Sequence, residues 1–230
     1  MHLGLSALLE FYRAHQADEA LVLGTVIATD GSTYRKPGAM MLIAGDSSYR
    51  GLIFSGCLEA DLASQAKKVF ADGKTRNVCY DMSHGDDFAW GLGLGCDGII
   101  QLMLQRLDDN TGFGFLETLD QAWQAKSRGL LSLVTSSNDP DHPAGGFALD
   151  CGAEFSTGDR LLMKSLHSPK GSLFSRGPDM SRRYWQDAID TINGTVELLL
   201  VPILPPPAIL ICGAGHDALP VARLAVEMGW

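Results

Sequence analysis

The sequence is short of positive charge. Its 230 residues carry 18 Lys and Arg against 27 Asp and Glu, a net charge of −9. Nucleic-acid surfaces are made of Lys and Arg that neutralise phosphates, so this balance argues against one, and no basic amphipathic stretch is available for a membrane surface. Long apolar runs are lacking too. The greasiest stretch, 198–212, is broken by Pro202 and by Pro205, Pro206 and Pro207, which leaves no span of the ~20 residues that a membrane helix needs. The opening Met1-His2-Leu3-Gly4 has no basic region of a signal peptide, and Glu10 interrupts the apolar residues after it. Cysteines are few, odd in number and never in a CxxC pair: Cys57, Cys79, Cys96, Cys151 and Cys212. That excludes a disulfide framework and points to free thiols in a reducing cytoplasm. A GxSxG elbow is absent, which removes the usual serine hydrolase, and Cys57, Cys79, His84 and Cys96 contain neither of the tight pairs of a structural zinc site.

What is present suits a soluble α/β protein. With 46% hydrophobic and 20% charged residues, the chain is too apolar for disorder and long enough for a substantial core. Apolar residues at helical spacing predict helices over 3–15, 56–71, 114–127 and 182–192. Shorter β-branched or apolar runs predict strands over 21–28, 38–44, 50–54, 78–80, 99–104, 130–135, 147–151 and 195–201. The expected architecture is a main domain over 1–204 built on a mixed sheet, then a stiff proline linker over 205–207. Residues 208–230 read as the first strand–turn–helix of a Rossmann-type domain, and a single such unit cannot bury both faces of its strand. The chain is therefore expected to be a piece of a longer protein, with a homodimer as one way to cover the apolar surface left over. No internal repeat of solenoid type is visible.

Four segments carry chemistry. Cys57 follows Gly56 at the predicted start of a helix, where free N–H groups and the positive dipole end favour a thiolate, a nucleophile and a soft-metal ligand. Glu59 lies one turn in, as a charge on that terminus or a base; the plainer alternative is a small buried cysteine beside an ordinary helix-start Glu. Gly31-Ser32-Thr33-Tyr34-Arg35-Lys36-Pro37-Gly38 sets Ser32, Arg35 and the Gly38 backbone where an anion such as phosphate could dock, although a long hairpin loop with solvated charges has the same composition. Gly91, Gly93, Gly95 and Gly98 surround Cys96 in a loop whose backbone can approach a ligand closely. Gly213-x-Gly215-x-x-Ala218 matches a dinucleotide fingerprint, but the acidic ribose partner expected ~20 residues on would fall past Trp230.

Taken in order, GSTYRKPGAMM, SGCLEADL, WGLGLGCDG and GAGHDA resemble the XdhC/CoxI family of accessory proteins for molybdenum hydroxylases such as xanthine dehydrogenase. Arg35, Pro37, Gly38, Gly56, Cys57, Glu59, Gly93, Gly95 and Cys96 fall on that family's motif positions. Ser55 and Asp97 stand where its pattern has glycine. The resemblance implies an accessory protein, more a cofactor-binding chaperone than a catalyst, that binds molybdenum cofactor (molybdopterin), with Cys57 as the metal ligand, protects it during sulfuration and delivers it to an apo-hydroxylase. A cysteine desulfurase-type sulfur donor would be a further partner, and the longer protein would add NAD(P) at Gly213 and Gly215. The alternative is an NAD(P)-dependent or thiol-redox oxidoreductase working through Cys57, Cys96 and the Rossmann unit.

Overall fold

The computed structural model describes residues 2–51, 53, 58–82, 98–109, 112–152, 155–160, 162–163 and 183–228. Its apolar runs form two five-stranded sheets. The first takes β1 (Leu21–Gly31), β2 (Met40–Ile43), β3 (Tyr49–Arg50), β4 (Arg76–Asp81) and β5 (Gly98–Leu107) in the order β3-β2-β1-β5-β4. The second takes β6 (Gly129–Ser137), β7 (Phe147–Asp150), β8 (Ser156–Gly158), β9 (Trp185–Asp190) and β10 (Thr195–Ile203) in the order β8-β7-β6-β10-β9. Helix α1 (His2–Ala14) precedes the first sheet, α2 (Glu59–Asp72) lies between β3 and β4, α3 (Phe113–Gln124) precedes the second sheet, and α4 (Ala218–Glu227) follows it.

The sheets pack face to face. Leu21, Leu23 and Met103 of the first join Leu131, Leu199 and Val201 of the second in one core, closed by Leu8 and Leu9 of α1 and Leu116 and Leu119 of α3. Fully burying each such side chain contributes roughly 1.5–3 kcal/mol. The opposite face of the first sheet (Val22, Val26, Ile100, Leu102) is covered by Leu62, Ala66 and Val69 of α2. A strand buried on both faces reads as continuous rather than alternating hydrophobics, which is why β1 and β5 are easily recognised. Arg13 of α1 clasps Asp120 of α3 with both Nε and Nη2, at 3.1 and 2.6 Å to the nearer oxygens, and ties the two helices together.

The two sheets are the same unit twice. Strand order, and a preceding helix (α1, α3), repeat. So does the register: Thr25 faces Met40 as Leu133 faces Phe147, and Arg76 faces Leu104 as Trp185 faces Leu200. Both long strands bulge at the same place, at Ile27 between Val26 and Ala28 and at Thr135 between Val134 and Ser136. Val26 N donates to Ala39 O and Gly38 N to Val26 O; Val134 N donates to Gly146 O and Gly145 N to Val134 O, all at 2.8–2.9 Å. The glycines required by left-handed backbone coincide, Gly38 (φ +90°) with Gly145 (φ +93°) and Gly51 (φ +100°) with Gly158 (φ +115°). The contacts are reciprocal. Gly38 presses on Val201 in the other half's β10, and Gly145 on Gln105, the equivalent residue of β5.

Three expectations are corrected. The α/β fold holds, but every strand pair is antiparallel, so the mixed sheet is two antiparallel sheets. The helix expected over 182–192 is edge strand β9: from Trp185 to Asp190 exposure alternates with a period of two, a strand's signature. Residues 208–212 form no strand; Leu210 is 88% exposed, because a strand needs neighbours to satisfy its backbone and none of the described strands lies beside it. Helix α4 follows as expected but buries only Ala225.

Candidate functional site

One rim of the first sheet gathers the motif-bearing connections. Strand β1 runs out at Gly31, paired with Gly98 at the start of β5. A Cβ at Gly98 would lie 2.5 Å from Asp30 O and 2.8 Å from Ser32 O, so only glycine lets the β1–β2 loop cross there. Beside Gly98, Met82 N donates to Gly98 O at the end of β4. The connection holding Gly93, Gly95 and Cys96 therefore leaves and re-enters the fold against Ser32. Those three residues, like Gly56 and Cys57, lie outside the described residues.

Helix α2 points its N-terminus at the same rim. Tyr80, near the end of β4, donates from its phenol to Asp61 Oδ2 at 2.6 Å, whereas Phe70 O at the other end accepts from Arg106 at 2.8 Å. The helix starts at Glu59 with Leu58 as N-cap and no side-chain cap, later than the expected residue 56. Cys57 immediately precedes that cap in sequence. Glu59 is fully buried in the first turn. Burial first, then the carboxylates of Asp61 and Glu59, push the Tyr80 phenol well above its ordinary range, so it stays a protonated donor. Neither Tyr80 nor Asp61 was picked out from the sequence; an exposed-looking strand tyrosine gives no local signal.

The β1–β2 loop is fixed from within. Thr33 Oγ1 donates to Arg35 O at 2.9 Å and accepts from Lys36 Nζ at 3.2 Å, while Gly38 N bonds Val26 O. Arg35 and Lys36 line a cleft of about 100 Å³ together with Leu5, Leu8, Met40, Ile203 and Arg183. Arg183 escaped sequence reading because its surroundings looked helical. Among the described residues no carboxylate pairs with Arg35, Lys36 or Arg183, and no group of three or more His, Cys, Asp or Glu is arranged to hold a metal.

The remaining predicted residues stand apart. Gly213 is left-handed (φ +136°), and Gly215 O accepts from Ala218 N at 3.1 Å, but both are exposed and no strand precedes them. The second half holds a polar cluster that the sequence did not disclose. Asp139 Oδ2 accepts from Thr191 Oγ1 at 2.5 Å and contacts His142 Nδ1 at 3.0 Å, and its Oδ1 accepts from Asp141 N at 2.9 Å.

Comparison with known proteins places this geometry. Residues 14–81 match the XdhC and CoxI family. Over its whole length the chain is 26% identical to a Bacillus subtilis protein named as a probable xanthine dehydrogenase subunit, of which it covers 61%. Over 118 residues, 51% of the chain, it is 30% identical to the Escherichia coli "Molybdenum cofactor insertion chaperone PaoD", of which it covers 35%. A Bacillus halodurans crystal structure described as a xanthine dehydrogenase superposes with a TM-score of 0.66 at 27% identity, over 96% of this chain and 60% of that one. The chain thus spans less than two thirds of each. No helix among the described residues is long and apolar enough to cross a membrane.

Proposed function

We propose that the chain, whose residues 14–81 match the XdhC and CoxI family, is an accessory protein of that family that holds molybdenum cofactor as cargo and passes it to a molybdenum hydroxylase of the xanthine dehydrogenase type. One observation carries the reading: the connections bearing Ser32 and Arg35, those flanking Gly93 to Cys96, and the start of α2 after Cys57 all meet at one rim of the first sheet.

The chemistry fits a temporary holder. A thiolate is a soft ligand for a thiophilic metal centre, and Cys57 precedes in sequence the N-terminus of α2, whose positive dipole end favours an anion. The Arg35 guanidinium suits a phosphate on the cargo; the Gly38 N–H, expected to share in that, is taken by Val26 O. Asp61 accepts from the Tyr80 phenol, and Glu59 lies in the same first turn of the helix. Protection during sulfuration, a cysteine desulfurase-type donor and a homodimer belong to the same proposal. NAD(P) at Gly213 and Gly215 does not, since no strand seats that turn.

The test is metal and pterin analysis of the protein purified from cells that make molybdenum cofactor. Stoichiometric molybdenum is expected in the native chain, with at least a tenfold loss in Cys57→Ala at unchanged thermal stability. Full retention by the Ala variant would remove Cys57 as the ligand.

A further inference from the structure

The duplicated unit allows one half to serve as a control for the other. In the second half the place of Met40 is taken by Phe147, whose ring meets Phe115 of α3 edge-on with centroids 5.1 Å apart. That aromatic pair joins the second half's helix α3 to strand β7, next to its loop. In the first half the corresponding residues are Leu5 and Leu8 of α1 with Met40, which line the open cleft of about 100 Å³. The loop cation differs in the same sense. The position of Arg35 is held in the second half by His142, which is engaged by Asp139 at 3.0 Å. Arg35 itself, with Lys36 and Arg183, faces the open cleft without a carboxylate partner among the described residues. Three such cations around one apolar floor run against the −9 charge of the chain.

We propose that this cleft binds a planar heterocycle bearing an anionic group, the ring lying on Leu5, Leu8, Met40 and Ile203 and the anion held by Arg35, Lys36 and Arg183. At about 100 Å³ the cleft holds less than the roughly 150 Å³ of a cavity that admits benzene, so a fused two-ring heterocycle would lie across its open mouth with one edge on the apolar floor and the other in solvent. An apolar floor with a few convergent charged groups is the usual composition of a small-molecule site, and the arginine fork suits phosphate or carboxylate. The inference builds on the cofactor-holding reading only for the origin of such a ring, a pterin. A nucleotide base offers the same chemistry.

Binding of pterin-6-carboxylate, followed by its own fluorescence, tests the site on the 230-residue chain, with guanosine monophosphate, unsubstituted pterin and inorganic phosphate as competitors. Saturable binding is expected, weakened at least tenfold by the double change Arg35→Gln with Arg183→Gln. It should weaken as much in Met40→Phe, which installs the residue of the other half, and should be unaffected by Lys68→Gln on the outer surface of α2. Guanosine monophosphate displacing the probe more strongly than pterin-6-carboxylate itself would support the site with a nucleotide as its ligand. No saturable binding, equal displacement by inorganic phosphate or by unsubstituted pterin, or indifference to both cleft variants would overturn it. The probe contains no molybdenum, so its failure leaves the Cys57 reading standing, and molybdenum retention in Cys57→Ala leaves the cleft standing.

Discussion

The two halves of this protein share a strand order, a register, a pair of bulges and two obligate glycines, yet only one carries the motifs. The difference is in the connections. Between Gly51 and Glu59 the first half inserts seven residues that include Gly56 and Cys57; in the second half Gly158 leads almost at once into a helical turn beginning at Arg160. Between β4 and β5 the first half spends 82–97, whereas β9 and β10 are joined by 191–194, closed by Thr191 N donating to Gly194 O at 2.7 Å. A rigid sandwich positions loops, and loops carry function. Here the scaffold exists twice and the functional connections once.

The sharpest way to break that comparison is to make the first half resemble the second. Replacing 82–98 by Thr-Ile-Asn-Gly should leave the fold intact, because Asp81 and Ile99 already pair as Asp190 and Thr195 do. Bound molybdenum should then fall at least tenfold while thermal unfolding stays cooperative. A chain that no longer folds would mean that the long connection is structural and that the halves are not interchangeable there.

A second, smaller effect separates the reciprocal glycines. Gly38→Ala and Gly145→Ala both force a Cβ onto left-handed backbone, but the new atom meets different neighbours. At Gly38 it lies 2.9 Å from both Cγ atoms of Val201, a stiff branched side chain; at Gly145 it meets the Nε2 end of Gln105 at 2.8 Å and Thr75 Oγ1 at 2.9 Å. Backbone strain plus overpacking makes the first cost about 3 kcal/mol, and strain with a yielding neighbour makes the second about 1.5 kcal/mol. Urea unfolding measures both, and Val201→Ala should recover part of the loss in Gly38→Ala but none in Gly145→Ala.

How much of this was legible in the sequence follows from what each element needs. Strands β1, β5 and β10 are buried on both faces and announce themselves as unbroken apolar runs, and α1 and α3 as single apolar stripes. Edge strand β9 does not, because Trp185 and Ile189 are its only large apolar residues, four apart, a spacing that also fits a helix. The duplication was hidden because a topology is kept by few side chains: across 35–51 and 142–158 only Gly38, Leu42, Gly45 and Gly51 recur, as Gly145, Leu149, Gly152 and Gly158. At the site, the loop with Ser32 and Arg35 was readable from its Gly-Ser turn and cations. Tyr80 and Arg183 were not, and Gly98 was readable only as a loop glycine, since their roles arise from what lies across the sheet or beyond the loop. The dinucleotide turn shows the converse: Gly213 and Gly215 fit a pattern whose supporting strand never forms.

The smallest predicted effect concerns a carboxylate cluster that the second half has and the first, among the described residues, lacks. Asp139 occupies the position of Gly31 and binds the β9–β10 turn through Thr191. The Thr191 hydroxyl first, then the Asp141 N–H and His142, hold its carboxyl below the ordinary value of 3.8. A carboxyl whose pKa is depressed on folding contributes stability that is complete above its unfolded value and fades as pH falls through the lower, folded one. Thr191→Val removes the main cause of that depression, so the variant should be less stable than the native chain at pH 6, and the gap should narrow at pH 3. Denaturation midpoints at the two pH values decide it. A gap that stays constant would mean that Thr191 acts through its bond to Gly194 O, at 3.0 Å, and not through the carboxylate. Gly31 has no side chain to titrate, so an acid-induced loosening confined to 138–142 and 191–195 in hydrogen exchange would mark the two halves as energetically distinct despite their common backbone.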